Sequence, residues 1–89
     1  METPMHEATT GSLRVLLFAS LRDQAGWGER LMALPSSTQR PAAVDVWNLL
    51  ALGPLPAEVR VAVNQKLVDK HQPVSVGDEI AFLPPFTGG

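Results

Sequence analysis

One stretch of this chain, PAAVDVWNLLALG (residues 41–53), carries a convincing helical period, while the remaining apolar runs are short and strand-like. Val44, Trp47, Leu50 and Ala51 recur at three- and four-residue spacing, and Val46 and Leu49 widen the stripe. Pro41 suits a first helical turn, Asp45 complements the positive end of the helix dipole, and Gly53-Pro54 closes the segment. Trp47 is expected to be a core anchor. A lone helix cannot bury such a stripe by itself, so it must lie on a sheet that the rest of the chain supplies.

Five segments qualify as strands. LRVLLFA (13–19) is β-branched and apolar with Arg14 as its only interruption, and RLMAL (30–34) is a shorter second run. The glycine-rich SLRDQAGWGE between them is expected to be a loop, closing an antiparallel hairpin. After the helix, EVRVAVN alternates cleanly; Asn64-Gln65 turns the chain into a short KLV strand. A long connection, DKHQPVSVGD, then leads through Gly77-Asp78 into EIAFL, which Pro84-Pro85 ends. The expected order is β-β-α-β-β-β: an α+β domain with one helix on one face of a mixed sheet, the element order of the β-grasp or ubiquitin-like fold. Residues 1–12 are expected to be a flexible extension, 13–83 the domain, and 84–89 an extended tail.

Composition removes many functions. With 89 residues there is room for one modest core. No cysteine is present, which excludes disulfides, thiolate metal sites and thiol nucleophiles. The net charge of -2 and seven scattered basic residues argue against nucleic acid or an anionic membrane as the main partner. The opening METPMHEATTGS has neither a basic region nor an apolar core, so it does not read as a secretory signal, and a cytoplasmic location is expected. His6 and His71 have no nucleophile paired with them in any recognisable motif, and Asp78-Glu79 reads as turn chemistry. No metal site is expected.

The last eight residues, FLPPFTGG, pair a stiff dipeptide with a glycine-glycine end. Alone, a Gly-Gly end is as consistent with fraying as with function. Beside a β-grasp pattern it resembles a ubiquitin-like sulfur carrier. FASLRDQAG resembles the Phe-Ala-x-x-Arg-x-x-x-Gly pattern after the first strand of the small, sulfur-carrying subunits of molybdopterin synthases. VAVNQKLV and GDEIAFLPPFTGG resemble that family's third strand and its closing strand and tail. The resemblance is collinear from Leu13 to Gly89. The compact GPLPA connection, the tryptophan in AGWGE and the N-terminal dozen residues depart from it.

The resemblance implies a chemistry. An E1-like adenylating and sulfurating enzyme uses ATP to adenylate Gly89, and a sulfur donor converts the acyl-adenylate to a thiocarboxylate. The large catalytic subunit of molybdopterin synthase then takes the sulfur into a pyranopterin precursor during molybdenum cofactor biosynthesis. The carrier binds no cofactor and catalyses nothing alone. Gly88 is expected to let the tail pass a narrow channel, since it has no side chain and accepts torsions closed to other residues. Pro84-Pro85 would extend the base of the tail at about 3.1 Å per residue, for a reach of roughly 18 Å to Gly89. A carrier for thiamine, tRNA thiolation or amino-acid biosynthesis, or a ubiquitin-like modifier, would share these features and differ in partner.

Strand parity supplies a binding surface. Charged residues mark the outward side of each strand. Arg14 therefore groups Leu16 and Phe18, Arg60 groups Ala62, and Glu79 groups Ala81 and Leu83. With Leu67 these form an apolar patch on the helix-free face, and Pro84, Pro85, Phe86 and Thr87 extend it toward the tail.

Overall fold

A computed structural model describes residues 11–34 and 40–85. The elements are β1 (Ser12–Leu17), α1 (Ala19–Ala25), β2 (Glu29–Ala33), α2 (Ala43–Leu49), β3 (Arg60–Val63), β4 (Lys66–Val68) and β5 (Glu79–Leu83). The five strands form one mixed sheet in the order β2-β1-β5-β3-β4. β1 and β5 lie side by side and parallel at its centre, and every other pairing is antiparallel. This is the β-grasp arrangement. β5 coincides with the EIAFL segment, and β1 begins at Ser12, one residue before the expected domain start.

The core lies between one face of the sheet and α2. Leu13, Val15 and Leu17 from β1, Val61 and Val63 from β3, and Ile80 and Phe82 from β5 all face it and are buried. Alternation along each strand makes this possible, because residues i, i+2 and i+4 share a face. Trp47 meets Phe82 edge to face, with ring centroids 5.0 Å apart and planes at 68°. Such aromatic pairs contribute roughly 0.5–1.5 kcal/mol beyond the area they bury.

The helix is shorter than its sequence period. It ends at Leu49, four residues before Gly53, because Ala51 turns the chain with a φ of 59°. The indole N–H of Trp47 donates to the Gly53 carbonyl at 2.8 Å and holds that turn. Its buried side is Ala43, Val46 and Trp47; Val44 is half-buried, and Leu49 and Ala51 are exposed, so the stripe is narrower than expected. At the other end, the Asp45 carboxylate accepts from the Ala42 N–H at 2.8 Å. The Ala43 and Val44 N–H groups donate to the Gln72 and Lys70 carbonyls, and Val74 donates back to Pro41. The long 69–78 connection thus satisfies amide groups that a helix N-terminus leaves open.

One element departs from expectation outright. The segment read as a loop after β1 contains α1, a two-turn helix whose Leu21 is buried. Gly26 ends it in a left-handed conformation, φ 87°, with its N–H donating to the Arg22 carbonyl at 2.9 Å. Only Leu21 and Ala25 face inward, too few to show a period. Among the described residues no helix is long and apolar enough to cross a membrane, and no group of side chains is arranged to hold a metal ion.

Candidate functional site

Sheet register fixes what the helix-free face carries. Glu29 pairs with Leu16, Leu16 with Ala81, Ala81 with Ala62, and Ala62 with Leu67. These five residues form one straight row across all five strands, all on the side away from α2. A second row contains Leu31, Arg14 and Glu79. Beyond the first row in the opposite direction lie Leu83 and its partner Arg60, with Phe18 leaving β1 beside them.

The face is polar at one end and apolar at the other. At the polar end, Arg14 Nε lies 3.3 Å from a Glu29 carboxylate oxygen. Both side chains are more than half exposed, so this ion pair contributes little to stability. Asn64 continues that end: its side-chain amide donates to Asp78 at 3.1 Å, and its carbonyl oxygen accepts from the Glu79 N–H at 3.0 Å. These bonds hold the β3–β4 turn, where Asn64 and Gln65 both have positive φ, against the start of β5.

At the apolar end the face hollows into an open groove. Phe18, Leu67 and Leu83 line it with Pro84 and Pro85, and Ala57–Arg60 form the opposite rim. Phe18 is 44% exposed and Leu67 61% exposed, large values for such side chains in a domain with this small a core. The compact connection before β3 supplies the rim, and Glu58 and Arg60 place opposite charges there. Ala19 and Ser20, at the start of α1, complete the wall.

The expected site residues therefore divide in three. Leu16, Phe18, Leu67, Leu83, Pro84 and Pro85 lie on the helix-free side; Leu16 is half-buried and stands apart from the groove lining. Ala81 lies on that side too but is only 8% exposed, because a methyl between Leu16 and Ala62 on neighbouring strands is covered by both. It floors the surface and does not project from it. Phe86, Thr87, Gly88 and Gly89 fall outside the described residues. The residues that sequence reasoning did not single out are Ala19, Ser20 and Ala57–Val59. Ala19, Glu58 and Val59 were expected inside strands, but β1 ends at Leu17 and β3 begins at Arg60, so strand parity does not govern them; the Phe-Ala pair after β1 and the short GPLPA link were the available signals.

A β-grasp domain whose last strand runs out beside an apolar groove is the architecture of a ubiquitin-like carrier, and family comparison places the chain among them. The chain belongs to the ThiS family, whose model matches residues 15–89. It is 36% identical over 83 residues to the molybdopterin synthase sulfur carrier subunit of Escherichia coli K12, covering 86% of this chain and 99% of that protein. The protein of the same name from Haemophilus influenzae is 37% identical over 83 residues, with the same coverage. In solved structures the fold is similar to SAMP1 from Haloferax volcanii, with a TM-score of 0.72, 24% identity, and 89% and 100% of the two chains covered. It is likewise similar to small archaeal modifier protein 1 from Methanosarcina acetivorans, with a TM-score of 0.69, 24% identity and 90% and 98% coverage.

Proposed function

We propose that this chain is the sulfur-carrier subunit of molybdopterin synthase. The observation that carries the reading is where β5 delivers the chain: Pro84 and Pro85 leave the sheet on the rim of the apolar groove. A partner that grips the groove thereby receives whatever follows Pro85. The partner for this surface is the large catalytic subunit, and the same face serves an E1-like adenylating enzyme in an earlier step. Names borne by the curated relatives support the pathway.

In this reading Gly89 carries the reacting group on its main-chain carboxylate. Attack of that carboxylate on ATP, bound by the adenylating partner, releases pyrophosphate and leaves an acyl-adenylate. A sulfur nucleophile then displaces AMP to give the thiocarboxylate. The carrier's own residues bind, orient and present; it has no catalytic side chains and binds no cofactor, and it works in the cytoplasm alongside its partners. Gly88 leaves the approach to Gly89 without a side chain, so the tail fits two different sites in turn.

The test is a reconstitution followed by intact-mass measurement. Incubation with the adenylating enzyme, ATP and a sulfur donor is expected to exchange one oxygen for sulfur on the intact chain. Deleting Gly89, or appending one residue after it, is expected to abolish the exchange. An extended variant that supports molybdopterin synthesis without being trimmed rules the mechanism out.

A further inference from the structure

Ala19 has a left-handed backbone, with φ of 51°. That region is narrow and unfavourable for any residue with a β-carbon, and glycine or asparagine is the usual occupant. The other described non-glycine residues with positive φ are Ala51, Asn64 and Gln65, all in turns between elements. Asn64 is held there by its own side-chain bonds to Asp78 and Glu79. The methyl group of Ala19 can make no such bond, and Ala19 is exposed. Its conformation is imposed by what lies on either side.

On one side Phe18 is extended, with φ −119° and ψ 152°, so it continues the parity of β1 and turns its ring to the helix-free face. On the other, the chain is already helical. The Phe18 carbonyl accepts from the Leu21 and Arg22 N–H groups at 3.1 and 3.4 Å, and Leu21 is tucked into the core. A single left-handed residue makes this change from strand to helix without a connecting loop. It therefore fixes two directions together: Leu21 inward, and Phe18 outward into the groove that also contains Leu83 and Pro84. Backbone strain of this kind persists where the surroundings over-determine it, and it concentrates at functional sites.

The geometry points to Ala19 as a positioning residue for partner docking: its left-handed backbone aims Phe18 into the groove and holds it there before the partner arrives. This rests on the groove being the docking surface for the large subunit. Substitutions at residue 19 should then rank by tolerance of positive φ and not by size or polarity. Ala19→Gly and Ala19→Asn keep the conformation accessible; Ala19→Val, β-branched, opposes it.

Calorimetric titration of the large subunit with the wild type, these three variants, Phe18→Ala and the Phe18→Ala/Ala19→Val double variant decides the matter. The Gly and Asn variants alter the groove wall but keep the backbone, so both are expected to bind well above the Val variant. The Val variant is expected to lose about tenfold or more, equivalent to about 1.4 kcal/mol. In the Phe18→Ala background the same Val substitution should change affinity by no more than about twofold, because the ring it misdirects is gone. Ala19→Thr, which is also β-branched, takes the place of Val if thermal melting shows the Val variant unfolded at the assay temperature. Equal weakening by Asn and Val, wild-type affinity in the Val (or Thr) variant, or additivity in the cycle each overturns the positioning role. Wild-type protein that does not bind the large subunit overturns the docking reading itself, a result distinct from any of these.

Discussion

Phe18 and Leu83 are neighbours on the helix-free face, and they are where a single charge should do most harm to docking and least to folding. Phe18 is 44% exposed and Leu83 half-buried, and neither contributes to the cluster between sheet and α2. Phe18→Glu or Leu83→Glu is therefore expected to leave the melting transition cooperative while weakening binding to the large subunit by at least about 2 kcal/mol, the scale of a central interface residue. Isothermal titration of both variants checks this; full-strength binding by both removes the groove from the interface. Gly88→Val addresses the tail in the same way. A β-branched side chain narrows the accessible backbone torsions, so adenylation or sulfur transfer should slow strongly in the mass-shift assay. Normal loading of that variant would mean that the tail enters no tight channel.

Among the elements, α1 tests how much stability resides in a segment whose sequence reads as a loop. Leu21 is 5% exposed and packs into the main core, so Leu21→Ala is expected to cost about 2–5 kcal/mol in chemical denaturation. A loss below about 0.5 kcal/mol, the ordinary range for surface substitutions, would place Leu21 outside the core. At α2, Trp47→Phe keeps an aromatic ring against Phe82 but leaves the Gly53 carbonyl without its donor, for an expected loss of about 1–3 kcal/mol. These two helices also mark what could be read from sequence. The strands were legible because Arg14, Arg60 and Glu79 each announce the outward parity, and β5 appears where EIAFL predicts it. The C-terminal limit of α2 was not, since Leu49, Leu50 and Leu52 extend an apolar run past the point where Ala51 breaks the backbone. The apolar end of the site and Arg60 followed from parity, whereas the rim residues Ala57–Val59 and the wall at Ala19 arose from chain reversals that no period encodes.

At the scale of the whole molecule, stability should fall from the middle of the sheet to its edges. β1 and β5 have strands on both sides, whereas β2 and β4 each present one free edge among the described residues. Amide hydrogen exchange is expected to be slowest in β1, β5 and β3 and faster in β2 and β4, because local opening follows the density of buried contacts. Protection of Lys66–Val68 equal to that of Glu79–Leu83 would contradict this gradient. The parallel pairing at the centre has another consequence, for synthesis. β5, the last of the described strands in chain order, fills the gap between β1 and β3, and without it the described sheet falls into two hairpins. A hairpin by itself is at best marginally stable in water. A product broken off before Glu79 therefore has no middle to assemble around, and it is expected to give no cooperative melting transition. Folding in this way screens each copy for β5, the strand that carries Pro84 and Pro85 to the groove.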